Sequence, residues 1–297
     1  MRPLGRKVNT WIITITLFFL IILLMDSCLQ FRMSKKEVNH YFEGKQKKGV
    51  LYTYTHDHQK INYLSVGDPT LPLIVFVHGS PGSLSAFIDF MSDSSLLERA
   101  QLISVDRPGF GESNFGYGEK SLQRQAAVLK PILEKYKKNR PVILVGHSMG
   151  GPVICRMAID YSELVDALII VAGSISPDLE PNETWFRAPL ATPFLRWILP
   201  RSFRASNREI YHLKPELQEM KPMLANIKAS TIVIQGKKDV LVDPRNADFA
   251  KKMFVNAPVE LVTVEEMNHF IPWSNPELIT QAIFKLLDQK QSSLSKR

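Results

Sequence analysis

The stretch Leu144-Val-Gly-His-Ser148-Met-Gly-Gly151 decides how this chain folds. It sets Ser148 between Gly146 and Gly150 in a G-x-S-x-G pattern, after a short apolar run and before a segment of helical character. In this strand–turn–helix context a serine hydroxyl projects from a sharp turn, and small residues two positions before and after it prevent collisions there. An ordinary glycine turn can carry the same pattern, so the rest of the chain must support the prediction that Ser148 is a nucleophile.

Apolar runs alternate with helical segments on both sides of this stretch. The runs cover residues 73–77, 101–105, 142–145, 167–172, 231–235 and 259–264, and a pair of strands flanks the turn His56-Asp-His-Gln59. Helical patterns cover residues 121–136, 152–161 and 278–287, and Pro244 opens another. Continuously apolar runs are typical of parallel strands buried on both faces. The alternation predicts a mostly parallel sheet covered by helices, with functional loops at the carboxyl ends of its strands.

The composition is that of an ordinary globular protein, with 297 residues, 45% hydrophobic and 22% charged. The net charge is +8, but no aromatic-interleaved basic patch accompanies it, so an anionic membrane surface is a better partner than nucleic acid. The only two cysteines, Cys28 and Cys155, cannot form a disulfide framework or a zinc site. His56 and His58 could ligate a metal, but without neighbouring carboxylates a hairpin turn is the better interpretation. We expect no metal or organic cofactor.

The N-terminus combines basic residues with a long apolar run. An uncharged run, Trp11 to Met25, follows three basic residues, which is the pattern of a signal peptide, although a spanning helix usually needs ~20 apolar residues. Ser27-Cys28 resembles a bacterial lipobox with Cys28 as the lipidated residue, although Asp26 is unusual there. Residues 1–27 are predicted to be a signal peptide or membrane anchor, with the body outside the cytoplasm. Lipidation and an uncleaved anchor are both open.

Composition shifts divide the rest of the chain. Residues 28–49 are polar and basic and are predicted to be a tether. The core is predicted over residues 50–174 and 225–290. Residues 175–224 interrupt the strand–helix alternation with recurring prolines and aromatics, which predicts a small helical cap insertion over the carboxyl edge of the sheet. Its aromatics, such as Trp185, Phe186 and Trp197, are candidates to line an apolar pocket.

Over roughly residues 50–287 the sequence resembles the α/β-hydrolase superfamily. The motifs are His78-Gly-Ser-Pro-Gly82, Asp106-Arg-Pro-Gly-Phe-Gly-Glu-Ser113, Gly146-His-Ser-Met-Gly150, the turn from Gly236 to Asp239 and Asn268-His269-Phe270. Serine, aspartate and histidine follow one another in the family's order. The resemblance implies a mostly parallel central sheet with helices on both faces and a helical cap insertion. The cap and the 106–113 loop look like those of epoxide hydrolases, whose nucleophile is aspartate rather than serine.

By this resemblance Ser148 is the nucleophile, His269 the general base and Asp239 the acid that orients the base. The roles make chemical sense, because a serine hydroxyl needs a neighbouring imidazole to take its proton. The backbone N–H groups of Ser80 and Met149 are the implied oxyanion hole. Other carboxylates lie near predicted strand ends and compete for the acid role, namely Asp178, Asp106 and Glu265.

A serine nucleophile predicts hydrolysis of a carboxylic ester or thioester of a small molecule through an acyl-serine. Three alternatives are open: another serine-triad reaction (C–C hydrolysis, perhydrolysis or proline-directed peptide cleavage), an envelope acyltransferase, and a non-catalytic binding protein. An intact set of Ser148, Asp239 and His269 argues against the last, since a binding scaffold needs no base. The natural substrate and the oligomeric state do not follow from the sequence.

Overall fold

The structure is a computed structural model that describes residues 4–294, with side chains described from residue 11 to 290. Residues 1–3 of the predicted signal peptide or anchor lie outside the described residues. Eight strands form one sheet in the order β1-β2-β4-β3-β5-β6-β7-β8. Their bounds are β1 Val50–His56, β2 Gln59–Val66, β3 Leu73–Val77, β4 Gln101–Val105, β5 Val142–His147, β6 Ala167–Val171, β7 Ser230–Gly236 and β8 Val259–Val264.

The sheet is parallel from β4 to β8, and β2 is antiparallel to both β1 and β4. The central strand β3 pairs Val75 with Ile103 on one side and with Leu144 on the other. Every residue of β3, β4, β5 and β6 is buried, which explains why the sequences of these strands are mainly apolar. The prediction of a mostly parallel sheet is confirmed.

Ten α-helices accompany the sheet within residues 4–294. Their bounds are α1 Leu4–Cys28, α2 Lys35–Tyr41, α3 Ser94–Leu97, α4 Leu122–Tyr136, α5 Gly150–Asp160, α6 Thr184–Ala191, α7 Arg201–Met220, α8 Asn246–Met253, α9 Ile271–Ser274 and α10 Pro276–Leu294. Two apolar cores lie on the two faces of the sheet. One core includes Leu129 of α4 and Val153 of α5. The other includes Ile283 of α10 and Phe87 from the segment between β3 and β4.

The segment 28–49, predicted to be a tether, is partly folded onto the core. Ser34 caps α2, and Glu37 completes a capping box with it. Val38 and Phe42 are buried in the same core as the sheet residues. This part of the predicted tether therefore packs on the core. The sequence contains little sign of it, because Val38 is the one buried residue of the seven-residue helix and Phe42 follows at its C-cap.

The segment 175–224 is helical, as the proline and aromatic pattern predicts. It holds α6, α7 and short 3-10 turns between Pro177 and Asn226. The N-terminal helix α1 runs without a break to Cys28, which is exposed. Its part from Trp11 to Cys28 has a mean hydropathy of 2.3 and is long and apolar enough to cross a membrane.

Candidate active site

Ser148 stands on a sharp turn between β5 and α5. Its φ is +53°, a left-handed conformation that side-chain-bearing residues seldom adopt, and its N–H continues the sheet by donating to the Val171 carbonyl at 2.9 Å. The glycines of the motif are needed for close approach: a Cβ at Gly146 would collide with the Gly150 carbonyl, and one at Gly150 with the carbonyl of Val77. The strand–turn–helix context expected for the motif is therefore present.

His269 and Asp239 form a hydrogen-bonded pair at the ends of β8 and β7. His269 Nδ1 donates to Asp239 Oδ2 at 2.8 Å, and both residues are about 6% exposed. Asp239 Oδ1 also accepts the backbone N–H groups of Leu241 and Val242, each at 2.9 Å. Burial alone would raise the pKa of Asp239, but the hydrogen bonds from His269 and the two amides outweigh it and lower the pKa. The carboxylate thus stays ionised and fixes the proton of the imidazole on Nδ1.

The three competing carboxylates lie elsewhere. Asp178 is exposed and pairs with Lys221 at 2.6 Å, and Glu265 is exposed and pairs with Lys237 at 2.6 Å. Asp106 is buried and accepts N–H groups from Leu84, Glu112 and Asn62, so it braces loops. Of the four acids weighed from the sequence, Asp239 is the one that contacts His269.

Ser148 and His269 line one cavity of about 860 Å³. Within the described residues no hydrogen bond joins Ser148 Oγ to His269. Such contacts are often long in ligand-free sites and tighten only in the substrate complex. With the proton on Nδ1, the free imidazole nitrogen Nε2 is the one available to accept the serine proton.

The loop after β3 brings backbone N–H groups to Ser148. Gly79 lies so close that a Cβ there would sit 3.0 Å from the Ser148 Cβ. The Gly79 carbonyl accepts hydrogen bonds from His78 Nδ1 at 2.6 Å and from Arg107 Nη2 at 2.9 Å. The Ser80 N–H belongs to the same peptide unit and lies opposite that carbonyl, so the two bonds fix the direction of this predicted oxyanion donor. Met149, the other predicted donor, is buried at the start of α5.

Arg107 is the side chain through which this loop meets the cap. It is 0% exposed, and its Nε donates to the His78 carbonyl at 2.8 Å. Its two terminal nitrogens bind both carboxylate oxygens of Glu209 in α7, at 2.6 and 2.9 Å. Glu209 is also 0% exposed. The sequence indicates that Arg107 lies in a turn. It does not indicate the ion pair with Glu209, which is 102 positions further along the chain.

His147, directly before the serine, is a second residue that sequence reasoning missed. Its Nε2 donates to the backbone carbonyl of His269 at 3.0 Å, and the two rings lie 4.8 Å apart. Burial, and then the neighbouring charge of His269, lower the pKa of His147 to about 3, so its ring is neutral. His147 therefore positions the backbone of His269 without competing for its proton. The G-H-S sequence was the only available signal.

The cavity is walled mainly by apolar side chains from the cap. Phe186 lines it as expected, whereas Trp185 and Trp197 do not and are 80% and 40% exposed. The pocket prediction is thus wrong for the two tryptophans, which point away from the core. Phe31, three residues beyond α1, lines the cavity and packs edge-on against Phe203 of α7 at 5.5 Å. The other apolar residues of the cap wall are Leu190, Leu199, Ile210 and Leu213.

Comparisons with known proteins agree with this architecture. The family described as alpha/beta hydrolase fold matches residues 72–205. Proline iminopeptidase PfmaB of Pestalotiopsis fici is 24% identical over 281 residues, which cover 77% of this chain and 96% of that protein. Among solved structures, a protein described as a lipase from Acinetobacter baumannii AYE superposes with a TM-score of 0.66 at 17% identity, covering 88% of this chain and 98% of that one. A membrane phospholipase A superposes with a TM-score of 0.63 at 17% identity, covering 96% and 97%.

The sheet order, the serine elbow and the family match lead to one assignment. The chain has the α/β-hydrolase fold, as the sequence predicts, and it is similar to hydrolases of that fold. In the described part of the chain, no group of three or more His, Cys, Asp or Glu side chains is arranged to hold a metal ion.

Proposed function

We propose that this chain is a membrane-anchored serine hydrolase that cleaves carboxylic esters or thioesters through an acyl-serine. The observation that carries the proposal is the placement of Ser148 on a strained elbow beside the His269–Asp239 pair, at the wall of a largely apolar cavity of about 860 Å³. Serine, base and orienting acid are the groups that acyl transfer requires.

In the first half of the reaction, Ser148 Oγ attacks the acyl carbon while His269 Nε2 takes its proton. The negative charge that develops on the carbonyl oxygen is stabilised by the N–H groups of Ser80 and Met149, and one such donor contributes about 10²–10³-fold to the rate. Asp239 stabilises the imidazolium ion that forms. His269 then gives its proton to the leaving alcohol or thiol, and the acyl-serine remains.

In the second half, His269 takes a proton from water, which attacks the acyl-serine through the same oxyanion site. Collapse of this second tetrahedral intermediate returns the proton to Ser148 and releases the carboxylic acid. An acyltransferase would differ only in using an acceptor alcohol in place of water.

A proline-directed peptidase is the second candidate, favoured by the relative named above and by two carboxylates in the cavity, Glu180 and Glu183. An N-terminal ammonium group would need a free carboxylate there. Glu183 is already paired with Arg187 at 2.5 Å. Burial raises the pKa of Glu180, and Ser174 donates a hydrogen bond to it. Both features support an apolar acyl substrate over a cationic one.

We further propose that α1 is retained as a signal anchor and holds the catalytic body outside the cytoplasm. Basic residues precede the apolar run, and positive flanks stay on the cytoplasmic side. Specific contacts between α1 and the cap support retention: Asp26 pairs with Arg201 at 2.8 Å, and Phe19 stacks on Trp197 at 5.7 Å between ring centroids. The intact mass of the protein from the membrane fraction decides between an anchor that includes residues 1–27 and a lipidated N-terminus at Cys28.

The test of the chemistry uses full-length protein in detergent with a fluorophosphonate probe. Stoichiometric labelling of Ser148, located by mass spectrometry and absent from Ser148→Ala, is the expected result. A panel of acyl esters, acyl thioesters and a prolyl amide then ranks the bonds, with an added acceptor alcohol to detect transfer. A folded protein that takes no label and cleaves nothing in the panel would refute the proposal and favour a binding role.

A further inference from the structure

The cap carries large apolar side chains that are exposed. Trp185 is 80% exposed and Phe194 is 86% exposed, and Leu195 and Trp197 are 36% and 40% exposed. None of the four lines the catalytic cavity. Trp197 donates its indole N–H to the Phe194 carbonyl at 2.7 Å, which holds these two rings in one short turn. We refer to these four residues as the cap patch. Exposed apolar groups of this size are uncommon in water unless they mark a binding surface.

The helix α1 packs against Trp197 of the cap patch. Phe18 meets the Trp197 ring edge-on at 6.3 Å, and Phe19 stacks on it at 5.7 Å. Both phenylalanines belong to the membrane-length helix. At a rise of ~1.5 Å per residue, Phe19 lies about 10 Å along the helix from Asp26, the first charge after the apolar run. A hydrocarbon core is ~30 Å thick, so a helix that spans it carries Phe19, and with it Trp197, well below the surface.

Charged groups mark the water side of the same surface. Arg201 binds Asp26 through its backbone N–H at 2.6 Å and through its side chain at 2.8 Å, at the start of α7. The guanidinium groups of Arg201 and Arg32 both lie over the Phe115 ring, with their central carbons 4.9 and 4.1 Å from the ring centroid. Arg196 lies within the turn that carries the cap patch, and Arg204 lies on α7. A long arginine side chain beside apolar groups in a bilayer extends its charged head to the interface. Arginines at this level are complementary to lipid phosphates.

The catalytic cavity opens next to this surface. Phe31 follows α1 by three residues, is 47% exposed and lines the cavity. From there the apolar wall continues through Phe203 and Leu199 of the cap to Ser148. A lipid acyl chain that leaves the bilayer near the end of α1 would follow this apolar wall to the serine.

We propose that the cap patch lies in the outer leaflet of the bilayer that α1 crosses, and that the substrates are acyl esters of membrane lipids that enter the cavity from that leaflet. This inference rests on the proposed ester hydrolysis at Ser148 and adds the substrate class and its route. The bilayer is the occupant of the patch because the membrane-length helix already packs on Trp197.

The first experiment measures depth and does not depend on activity. The full-length chain carrying Trp11→Phe, Trp185→Phe and Trp273→Phe keeps Trp197 as its single tryptophan. It is reconstituted in phosphatidylcholine–phosphatidylglycerol vesicles with bromine near the middle of the acyl chains, and compared with unbrominated vesicles. Strong quenching of Trp197 by bromine and weak quenching by acrylamide from the water phase are expected. Strong acrylamide quenching without bromine quenching would overturn the proposal.

The second experiment separates lipid access from chemistry. Full-length protein with Phe194→Ser and Trp197→Ser is expected to hydrolyse phosphatidylcholine in vesicles about tenfold more slowly, because two large apolar groups no longer favour the leaflet. A short soluble ester in detergent should be cleaved at the native rate. Val255→Ser, which removes an exposed apolar side chain (69% exposed) after α8, is the matched control and should change neither rate.

The remaining outcomes are decisive as well. Equal effects of the patch variant on both substrates, or no effect on either, would overturn the lipid route. A shift of the patch variant from dimer to monomer, with Trp197 unquenched by bromine, would assign the patch to a second copy of the chain and also overturn it. Absence of Ser148 labelling and of all ester cleavage would instead refute the proposed chemistry, while bromine quenching would still report where the cap lies.

Discussion

Removing the carboxylate of Glu209 is the sharpest test of how the cap supports the catalytic loop. Glu209 of α7 binds both terminal nitrogens of Arg107, and neither side chain is exposed. In Glu209→Ala the guanidinium loses the carboxylate that holds both of its terminal nitrogens, and its charge has no counterion. A buried charge left without its partner destabilises a protein by about 3–5 kcal/mol.

The same change tests the position of the oxyanion donor. Arg107 provides one of the two hydrogen bonds to the Gly79 carbonyl, and His78 provides the other. Loss of a whole oxyanion donor lowers kcat by about 10²–10³-fold, so the loss of one of two bonds that orient it should lower kcat by roughly tenfold. The double variant Arg107→Met with Glu209→Leu removes both charges. It should regain most of the stability, because apolar replacements of a buried pair are often neutral, but it should not regain kcat.

The assay combines urea unfolding, followed by tryptophan fluorescence in detergent, with kcat on a short soluble ester. The reasoning fails if Glu209→Ala lowers the free energy of unfolding by less than about 1 kcal/mol, the level of an exposed ion pair. It also fails if the double variant recovers kcat together with stability, because the pair would then serve stability alone.

Three further predictions concern the residues around the serine. Asp239→Asn should lower kcat by about 10⁴-fold by disturbing the imidazole tautomer, whereas Asp178→Asn should leave kcat unchanged in the same ester assay. Burial lowers the pKa of His147 to about 3 from ~6.5 in the unfolded chain, so this residue makes the fold less stable as the pH falls from about 6.5 towards 3. His147→Gln can still donate to the His269 carbonyl, and its free energy of unfolding in urea should fall less across that pH range. Ser80 Oγ is buried without a hydrogen-bond partner among the described residues, so Ser80→Ala should keep kcat and leave thermal stability equal or higher; a large loss of kcat would mean that the hydroxyl, not the backbone N–H, serves the reaction.

Local patterns predicted the sheet and the loops of the site because each is contained in a short stretch. The buried strands β3 and β6 are apolar at every position, and Ser148 and the Gly236–Asp239 turn follow strands directly. In a parallel sheet, loops after neighbouring strands meet at one edge, so motif order was enough to bring Asp239 and His269 together. The contact at 2.8 Å between them is a consequence of β7 pairing with β8.

Contacts between distant segments had no such signature. The Arg107–Glu209 pair joins residues 102 positions apart, and Glu209 lies on a helix of mostly polar character. Trp185 and Trp197 were expected in the pocket because large apolar side chains are usually buried in water-soluble domains. That rule assumes water on the outside, and the assumption does not hold for a cap that lies in a bilayer, as we propose.

The helix α7 contacts both the N-terminal helix α1 and, through Arg107, the loop after β3. It starts after Pro200 with no side-chain cap of its own, and Asp26 of α1 accepts the Arg201 N–H at 2.6 Å, as a capping carboxylate would. Two turns further along, the same helix holds Arg107 through Glu209. Cleavage before Cys28 would remove Asp26 and with it a cap of about 1 kcal/mol at the helix start, where negative charge is favourable. The proposed retention of α1 would therefore stabilise α7, the helix that binds Arg107, whereas removal of residues 1–27 would leave the start of α7 without this carboxylate.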